Sequence, residues 1–343
     1  MMDPLRHWHP VLLESELRDR PVGVRVWDQE IVLFRDGNGG VGALRDQCLH
    51  RRMRLSEGTV KAGCVVCPYH GWRYDRRGHG TSPGNERMRV EAPTYDVATR
   101  HGVVWVKTRD ATDELPTFAF PDLHPAYVLL RRVKTPYQLL VDNFIEIEHT
   151  CVAHWLFGFD VEDMPRVKLR SESLPEQLHI VCEGPQKRIP KPVELLAGFR
   201  SGDHFVADWT LDFAPLRATY TFTHRAKDTG ALRQPRAKEV VYFAPIHAEE
   251  SLLVAFYFTN LPPTRLNRAL VLPVYRRWVD YEYELDRRIL ENLADRRTDL
   301  DGLRLGRFDK PLLEFRRALR ERVQAKPGQH LDEDVPAPRA VDA

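Results

Sequence analysis

The chain has 343 residues, 43% hydrophobic and 29% charged, a globular composition long enough for about two domains. Lys and Arg number 51 against 49 Asp and Glu, so the formal net charge of +2 argues against nucleic acid or an anionic membrane surface as the main partner. No run approaches the ~20 apolar residues of a membrane helix, MMDPLRHWHP lacks the basic start and apolar run of a signal peptide, and five Cys are too few for a disulfide scaffold, so a cytoplasmic location is expected.

Residues 21–110 carry short β-type runs broken by Gly and Asp (VGVRVW, IVLFRDGNGGVGAL, GCVVC, GVVWVKT), which predict a small antiparallel β domain over residues 1–113. Two Cys/His pairs fall inside it. Cys48-x-His50 lies in DQCLHRRMRL, and after sixteen residues Cys67-x-x-His70 opens CPYHGWRYD. Two thiolates and two imidazoles suit one tetrahedral zinc, but a zinc finger places its two Cys on one knuckle and its two His on a helix. Here each short loop brings one Cys and one His. That is the symmetry of a two-iron cluster in which two Cys hold one iron and two His the other. Cys64-x-x-Cys67 spells a thioredoxin-like pair without the βαβ context, so Cys64, like Cys151 and Cys182, reads as a small packed residue.

ATDELPTFAFPDLHP (111–125), with three prolines and no period, predicts an inter-domain crossing. Beyond it the texture predicts a helix over 138–155, strands at 178–183, 205–225 and 239–260, and a long charged helix over 266–296. This is an α+β layout, an antiparallel sheet with helices on one side, spanning residues 114–325 and followed by a polar tail at 326–343. SLLVAFYF (251–258) reads as a core strand, and His247 as either a pocket residue or a turn histidine between paired strands.

In LLVDNFIEIEHTCVAHWLFG (139–158), a helix would set Asn143, Glu146 and His149 on one face. His154 would lie about 140° further round than His149, so both reach one ion only if the helix bends. A mononuclear non-haem iron needs two His and one carboxylate. Val279, Tyr283, Asp286, Leu290 and Leu293 follow a helical stripe, placing Asp286 on a buried face where a metal or an Arg must partner it. Asp280, Glu282 and Glu284 are expected toward solvent.

These motifs, with Arg51, Leu55 and Gly58 after His50 and Pro68, Tyr69, Gly71 and Trp72 around His70, resemble the catalytic α subunit of Rieske non-haem iron oxygenases over roughly residues 5–323. The loops lack the extra Cys of the respiratory type. The chain is most similar to the short, α-only branch with vanillate and dicamba O-demethylases. The resemblance implies an N-terminal Rieske antiparallel β domain and a C-terminal helix-grip catalytic domain. It implies a 2Fe–2S cluster on Cys48, His50, Cys67 and His70, a mononuclear Fe(II) on His149, His154 and Asp286, and Asn143 close to the iron.

Glu146 stands where most members carry an Asp that bridges the two centres across a subunit boundary, an arrangement implying a homotrimer. Glu at this position is a feature of oxygenases of quaternary amines. No G-x-G-x-x-G follows a strand, so a separate NAD(P)H-dependent reductase or ferredoxin is expected to supply electrons. The implied reaction uses O2 to hydroxylate or O- or N-demethylate a small organic substrate, expected to be aromatic. Ring dihydroxylation, oxidation of a quaternary amine and a pure electron carrier with a vestigial iron site remain the alternatives.

Overall fold

The structure, a computed structural model, describes residues 4–109, 111–155, 157–188, 191, 202–233 and 237–324. The expected polar tail at 326–343 lies outside them. No described helix is long and apolar enough to cross a membrane.

The first part of the chain comprises β1 (His9–Leu13), β2 (Val22–Val26), β3 (Gln29–Arg35), β4 (Val41–Arg45), β5 (Thr59–Lys61), β6 (Cys64–Val66), β7 (Arg73–Tyr74), β8 (His79–Ser82), β9 (Asn85–Glu91), β10 (Tyr95–Arg100) and β11 (Val103–Thr108). They form three antiparallel sheets ordered β1-β11-β10, β2-β3-β4 and β5-β6-β7-β8-β9. The second part runs β12 (His124–Val133), α1 (Tyr137–Ile145), α2 (Thr150–Ala153), β13 (Lys168–Ser173), β14 (Gln177–Pro185), β15 (His204–Phe213), β16 (Leu216–Arg225), β17 (Ala237–His247), β18 (Glu250–Thr259), α3 (Leu272–Glu291) and α4 (Lys310–Gln324). Its strands make one antiparallel sheet ordered β12-β18-β17-β16-β15-β14-β13.

Strand alternation explains why the apolar runs are continuous. In β3, Ile31 and Leu33 enter one core with Leu5 and Val104, while Val32 and Phe34 enter a second core with Cys48, Cys67 and Tyr74. SLLVAFYF divides likewise. Leu253, Ala255 and Tyr257 face the helices, whereas Leu252, Val254, Phe256 and Phe258 face β11. The seam between the two parts is therefore apolar, with Trp105 stacked on Phe256 at 5.5 Å between ring centroids.

Several expectations change. The helix over 138–155 is two helices, broken at Glu146. The run 205–225 is a hairpin, β15 and β16. The helix over 266–296 is α3 alone after a π turn at Asn267–Val271, and Leu293 lies past its end, exposed. Strands β12 and β13 and helix α4 were not foreseen. Helix α4 buries Leu312, Phe315 and Ala318, and the same stripe carries Arg316, whose guanidinium donates to the carboxylate of Asp142 on α1.

Asp142 and Arg316 are both buried, and burial pushes the Asp142 carboxyl up despite the guanidinium. Removing one partner leaves the other uncompensated. Arg316→Met is expected to destabilise the second part by about 3–5 kcal/mol in chemical denaturation, and the double variant with Asp142→Asn to recover much of the loss.

Candidate functional site

The two Cys/His loops have one backbone design. In the first, Cys48 N–H donates to Met53 O (2.8 Å) and Arg52 N–H to Cys48 O (2.9 Å). In the second, Cys67 N–H donates to Trp72 O (2.8 Å) and Gly71 N–H to Cys67 O (3.0 Å). The fifth residue of each turn is left-handed, Arg52 at φ 58° and Gly71 at φ 72°. Glycine takes that conformation freely, and Arg52 is the costlier solution to the same geometry.

Cys48 and Cys67 are buried, whereas His50 and His70 are exposed with ring centroids 4.5 Å apart. The His50 ring stacks on Trp72 at 5.1 Å. Tyr74 Oη accepts from Leu49 N–H (3.0 Å), which leaves its own proton for Cys48 Sγ at 3.3 Å. The backbone N–H groups of Tyr69 and His70 donate to the Cys67 sulfur. This donor set fits a 2Fe–2S cluster, with two thiolates inside and two imidazoles at the surface. Cys64 is half-buried, so it is less enclosed than expected, as is Cys151; Cys182 is buried.

The second constellation depends on the break after α1. Tyr220 Oη on β16 donates to Phe144 O, the carbonyl that a continuing helix would use. Glu146 is extended (φ −84°, ψ 149°), and its Oε2 accepts from Glu148 N–H (2.7 Å) and His149 N–H (3.2 Å) at the start of α2. Side chains thus satisfy the groups that the break would orphan. At the other end of α2, Lys187 Nζ donates to Thr150 O (3.0 Å), Cys151 O (3.4 Å) and His154 O (2.5 Å). Gly158, at φ 88°, lies so close to Thr150 that a Cβ would sit 2.1 Å from its Oγ1.

The broken helix brings His149 and His154 together with Asp286 from α3. Asp286 Oδ1 is 2.9 Å from His154 Nε2 and 3.4 Å from His149 Nε2, and the three ligand atoms lie within 4.8 Å of one another. Among the described residues Asp286 is paired with the two imidazoles and not with an Arg. Burial raises its carboxyl, but the two imidazoles outweigh that and hold it below its usual range. Burial likewise lowers His149, yet Asp286 and Glu146 together hold it up at about 9.

Each ring's other nitrogen also faces a carboxylate. His149 Nδ1 meets Glu146 Oε1, and His154 Nδ1 lies 3.1 Å from Glu282 Oε2. Glu282 also accepts from Trp155 N–H at 3.1 and 3.2 Å. The expectation that Glu282 faces solvent is therefore wrong, because it lies one turn before Asp286 on the same buried helix face. Both Nε2 atoms are left pointing at one spot with a carboxylate oxygen, a donor set that fits a divalent iron with open positions.

A cavity of about 90 Å³ opens beside this trio. Asn143 and Glu146 line it, as do Trp209, Tyr220, Tyr257, Tyr283 and Glu239. Glu239 is buried, accepts a hydrogen bond from Tyr257, and has no partner for Oε1. Sequence reading missed it, although it shares strand parity with Val241 and Phe243, which face the helices. His247 is the turn histidine, at the end of β17 and 3.3 Å from Glu250, away from this cavity.

Residues 7–96 match the Rieske [2Fe-2S] domain family. The chain is 33% identical over 158 residues to 4β-methylsterol monooxygenase of Methylococcus capsulatus, covering 42% of this chain and 43% of that protein. It is 32% identical over 162 residues to the oxygenase component of dicamba O-demethylase of Stenotrophomonas maltophilia, covering 43% and 46%. These sequence matches span less than half the length of either relative. The fold extends further. Dicamba monooxygenase bound to 3,6-dichlorosalicylic acid superposes with a TM-score of 0.78 at 19% identity, over 95% of this chain and 99% of that one. Pseudomonas putida NdmA with caffeine gives 0.69 at 20% identity, over 94% and 92%. The chain thus carries a Rieske domain. Over nearly its whole length it also shares the fold of dicamba monooxygenase and NdmA.

Burial pushes Glu239 up to about 8, so the folded protein holds its proton more tightly than the unfolded chain, whose carboxyl titrates near 4.5. The stability this proton confers is complete below that value and is lost as pH rises through 8. Glu239→Gln, in protein stripped of any metal at the trio, is therefore expected to match the wild type near pH 4.5. It should gain on it by about 1.4 kcal/mol per pH unit toward pH 8, read by denaturation at several pH values.

Proposed function

We propose that this chain is the oxygenase component of a Rieske-type monooxygenase that hydroxylates or demethylates a small organic substrate. The observation that carries the reading is the convergence of His149, His154 and Asp286 at a cavity on a chain with a Rieske domain. Cys48, His50, Cys67 and His70 would hold the 2Fe–2S cluster, and the trio the mononuclear iron. Together these groups supply one-electron delivery and activation of O2 when bound.

The protein's own contribution is placement. Glu146 and Glu282 fix the two ring orientations from the Nδ1 side, so both Nε2 atoms stay directed at one point. The sheet and α1 wall the cavity with apolar side chains that keep bulk water from the reacting bond.

Three relatives carry names that describe attack at a methyl group, a 4β-methylsterol monooxygenase, a dicamba O-demethylase and a methylxanthine N1-demethylase. Oxidation of a methyl carbon consumes O2, two electrons and two protons and yields a hydroxymethyl group and water. A hydroxymethyl on oxygen or nitrogen then leaves as formaldehyde.

The electrons come from a separate reductase or ferredoxin docking at the exposed His50 and His70 edge. Leu49 and Tyr69, exposed beside that edge, and Val152 and Trp155, exposed beside the trio, suit a head-to-tail homotrimer in which Glu146 links His149 to a neighbour's cluster. Five Cys free of disulfides suit a cytoplasmic location.

Anaerobically purified protein is expected to hold about three irons and two sulfides per chain, with the low average g value of a His-ligated cluster after dithionite reduction. With a surrogate reductase, methoxy-aromatics and methylated amines should release formaldehyde. Two irons with no further uptake of iron(II) would favour an electron carrier, and zinc without sulfide would sink the reading.

The orienting carboxylates give a sharper check. Glu282→Gln is expected to weaken iron(II) binding at the trio by about 10- to 100-fold in chelator competition while the cluster spectrum stays unchanged. Glu146→Gln should likewise weaken iron(II) at the trio, and with the iron restored by excess iron(II) it should still lose most turnover.

A further inference from the structure

Four neighbouring strands each give one side chain to a single row beside the trio. Trp209 on β15 lies opposite Tyr220 on β16, Tyr220 opposite Glu239 on β17, and Glu239 opposite Tyr257 on β18. All four line the cavity. With ~4.8 Å between strands, Trp209 and Glu239 stand about 10 Å apart at the backbone. Tyr283 reaches the same cavity from α3, its ring centroid 6.4 Å from that of Tyr257.

Three of these side chains carry a polar atom without a partner, namely Trp209 Nε1, Glu239 Oε1 and Tyr283 Oη. The residues are 1%, 5% and 8% exposed, so bulk water does not serve them. Tyr220 and Tyr257 are already committed, the first to the Phe144 carbonyl and the second to Glu239. Leaving three buried groups unmatched costs stability, which a ligand seated among them restores. Their chemistry restricts that ligand. An indole N–H can only donate, so the ligand must present an acceptor, and the Tyr283 hydroxyl is free to donate to it as well. Among the described residues no Lys or Arg lines the cavity, so an anion would meet Glu146, Glu282 and Asp286 with no counter-charge. A cation would face the positive ends of the donors.

We propose that Trp209, Glu239 and Tyr283 form a polar anchor that selects an uncharged substrate bearing a carbonyl-type oxygen. This rests on the oxygenase reading above, since it names the substrate class of that same site. The state of Glu239 agrees. Burial pushes its carboxyl up to about 8, so near neutral pH it keeps a proton, and with Tyr257 donating to its other oxygen it offers an O–H at Oε1.

Acetamide, acetate and acetamidinium are small, nearly isosteric and differ in charge, and they are the probes for a test by magnetic resonance. The full, cluster-loaded chain is labelled at its indole nitrogens and titrated at neutral pH and constant ionic strength. The Trp209 N–H signal is assigned by its loss in Trp209→Phe. Acetamide is expected to shift that signal saturably and to bind at least about tenfold more tightly than either ion. Tyr283→Phe and Glu239→Leu should each weaken acetamide by about 2- to 10-fold with the visible cluster spectrum unchanged. Glu239→Gln, which keeps a neutral donor, should retain the binding.

No saturable shift with acetamide, equal or tighter binding of either ion, loss of binding in Glu239→Gln, or unchanged binding in both Tyr283→Phe and Glu239→Leu would each overturn the proposal. None of these titrations needs iron at the trio or a reductase. Failure of the oxygenase reading would instead appear as missing iron or missing turnover in protein that still prefers acetamide.

Discussion

The candidate metal centre exists because helix α1 stops at Ile145. Continued as one helix, this segment would point His154 about 140° away from His149, and no single ion would meet both. The stop is not made by Pro or Gly. It is made by side chains that take over the backbone's unmet hydrogen bonds, Tyr220 on the Phe144 carbonyl, Glu146 on two N–H groups, and Lys187 on three carbonyls. Two of these come from the sheet side of the fold, Tyr220 from β16 and Lys187 from just beyond β14. The ring positions are therefore set by the sheet rather than by α1 itself, which suits a site that must hold its geometry closely.

The same sheet fixes how the two halves of the chain meet. Strands β17 and β18 are buried on both faces, with residues of one parity under α1 and α3 and those of the other against β11. Trp105, Tyr242 and Phe256 fill that second face with mutual ring contacts of 5.2 to 6.1 Å. An apolar seam of this kind leaves little freedom for relative motion. The cluster domain and the histidine trio are held on opposite sides of one layer. Their distance within the chain is a property of the fold, not of a flexible hinge.

What could be read from the residues alone follows from how local each signal is. The cluster loops were legible because each packs its Cys, its His and its left-handed turn residue into a single short stretch. Gly71 announces the turn, whereas Arg52 occupies the same conformation without announcing it. Asp286 was legible from the α3 stripe, and Glu282 should have been, since it lies one turn earlier on the same face. Helical periodicity misled at Glu146, because the stop depends on Tyr220 and Lys187, distant in the chain. Glu239 had a signal of another kind, an acid in an apolar strand. Its facing could be assigned only once the parity of Val241 and Phe243 was known.

The cavity then poses an energetic question that its neutral composition average conceals. A net charge of +2 for the chain gives no hint that four carboxylates share one lining. Breaking the partnership of a buried charge costs about 3–5 kcal/mol, a large share of a domain's ~5–15 kcal/mol of stability, so such a group persists only where each member is matched. Asp286 is matched by two imidazoles, Glu146 by an imidazole and two backbone N–H groups, and Glu282 by an imidazole and the Trp155 N–H. Glu239 is matched on one oxygen, by Tyr257. Even the matched imidazoles balance the lining only while they carry protons, and a metal bound at their Nε2 atoms displaces those protons. A metal then returns two positive charges to the lining, while Glu239, pushed up to about 8 by burial, keeps its proton near neutral pH and adds no charge of its own.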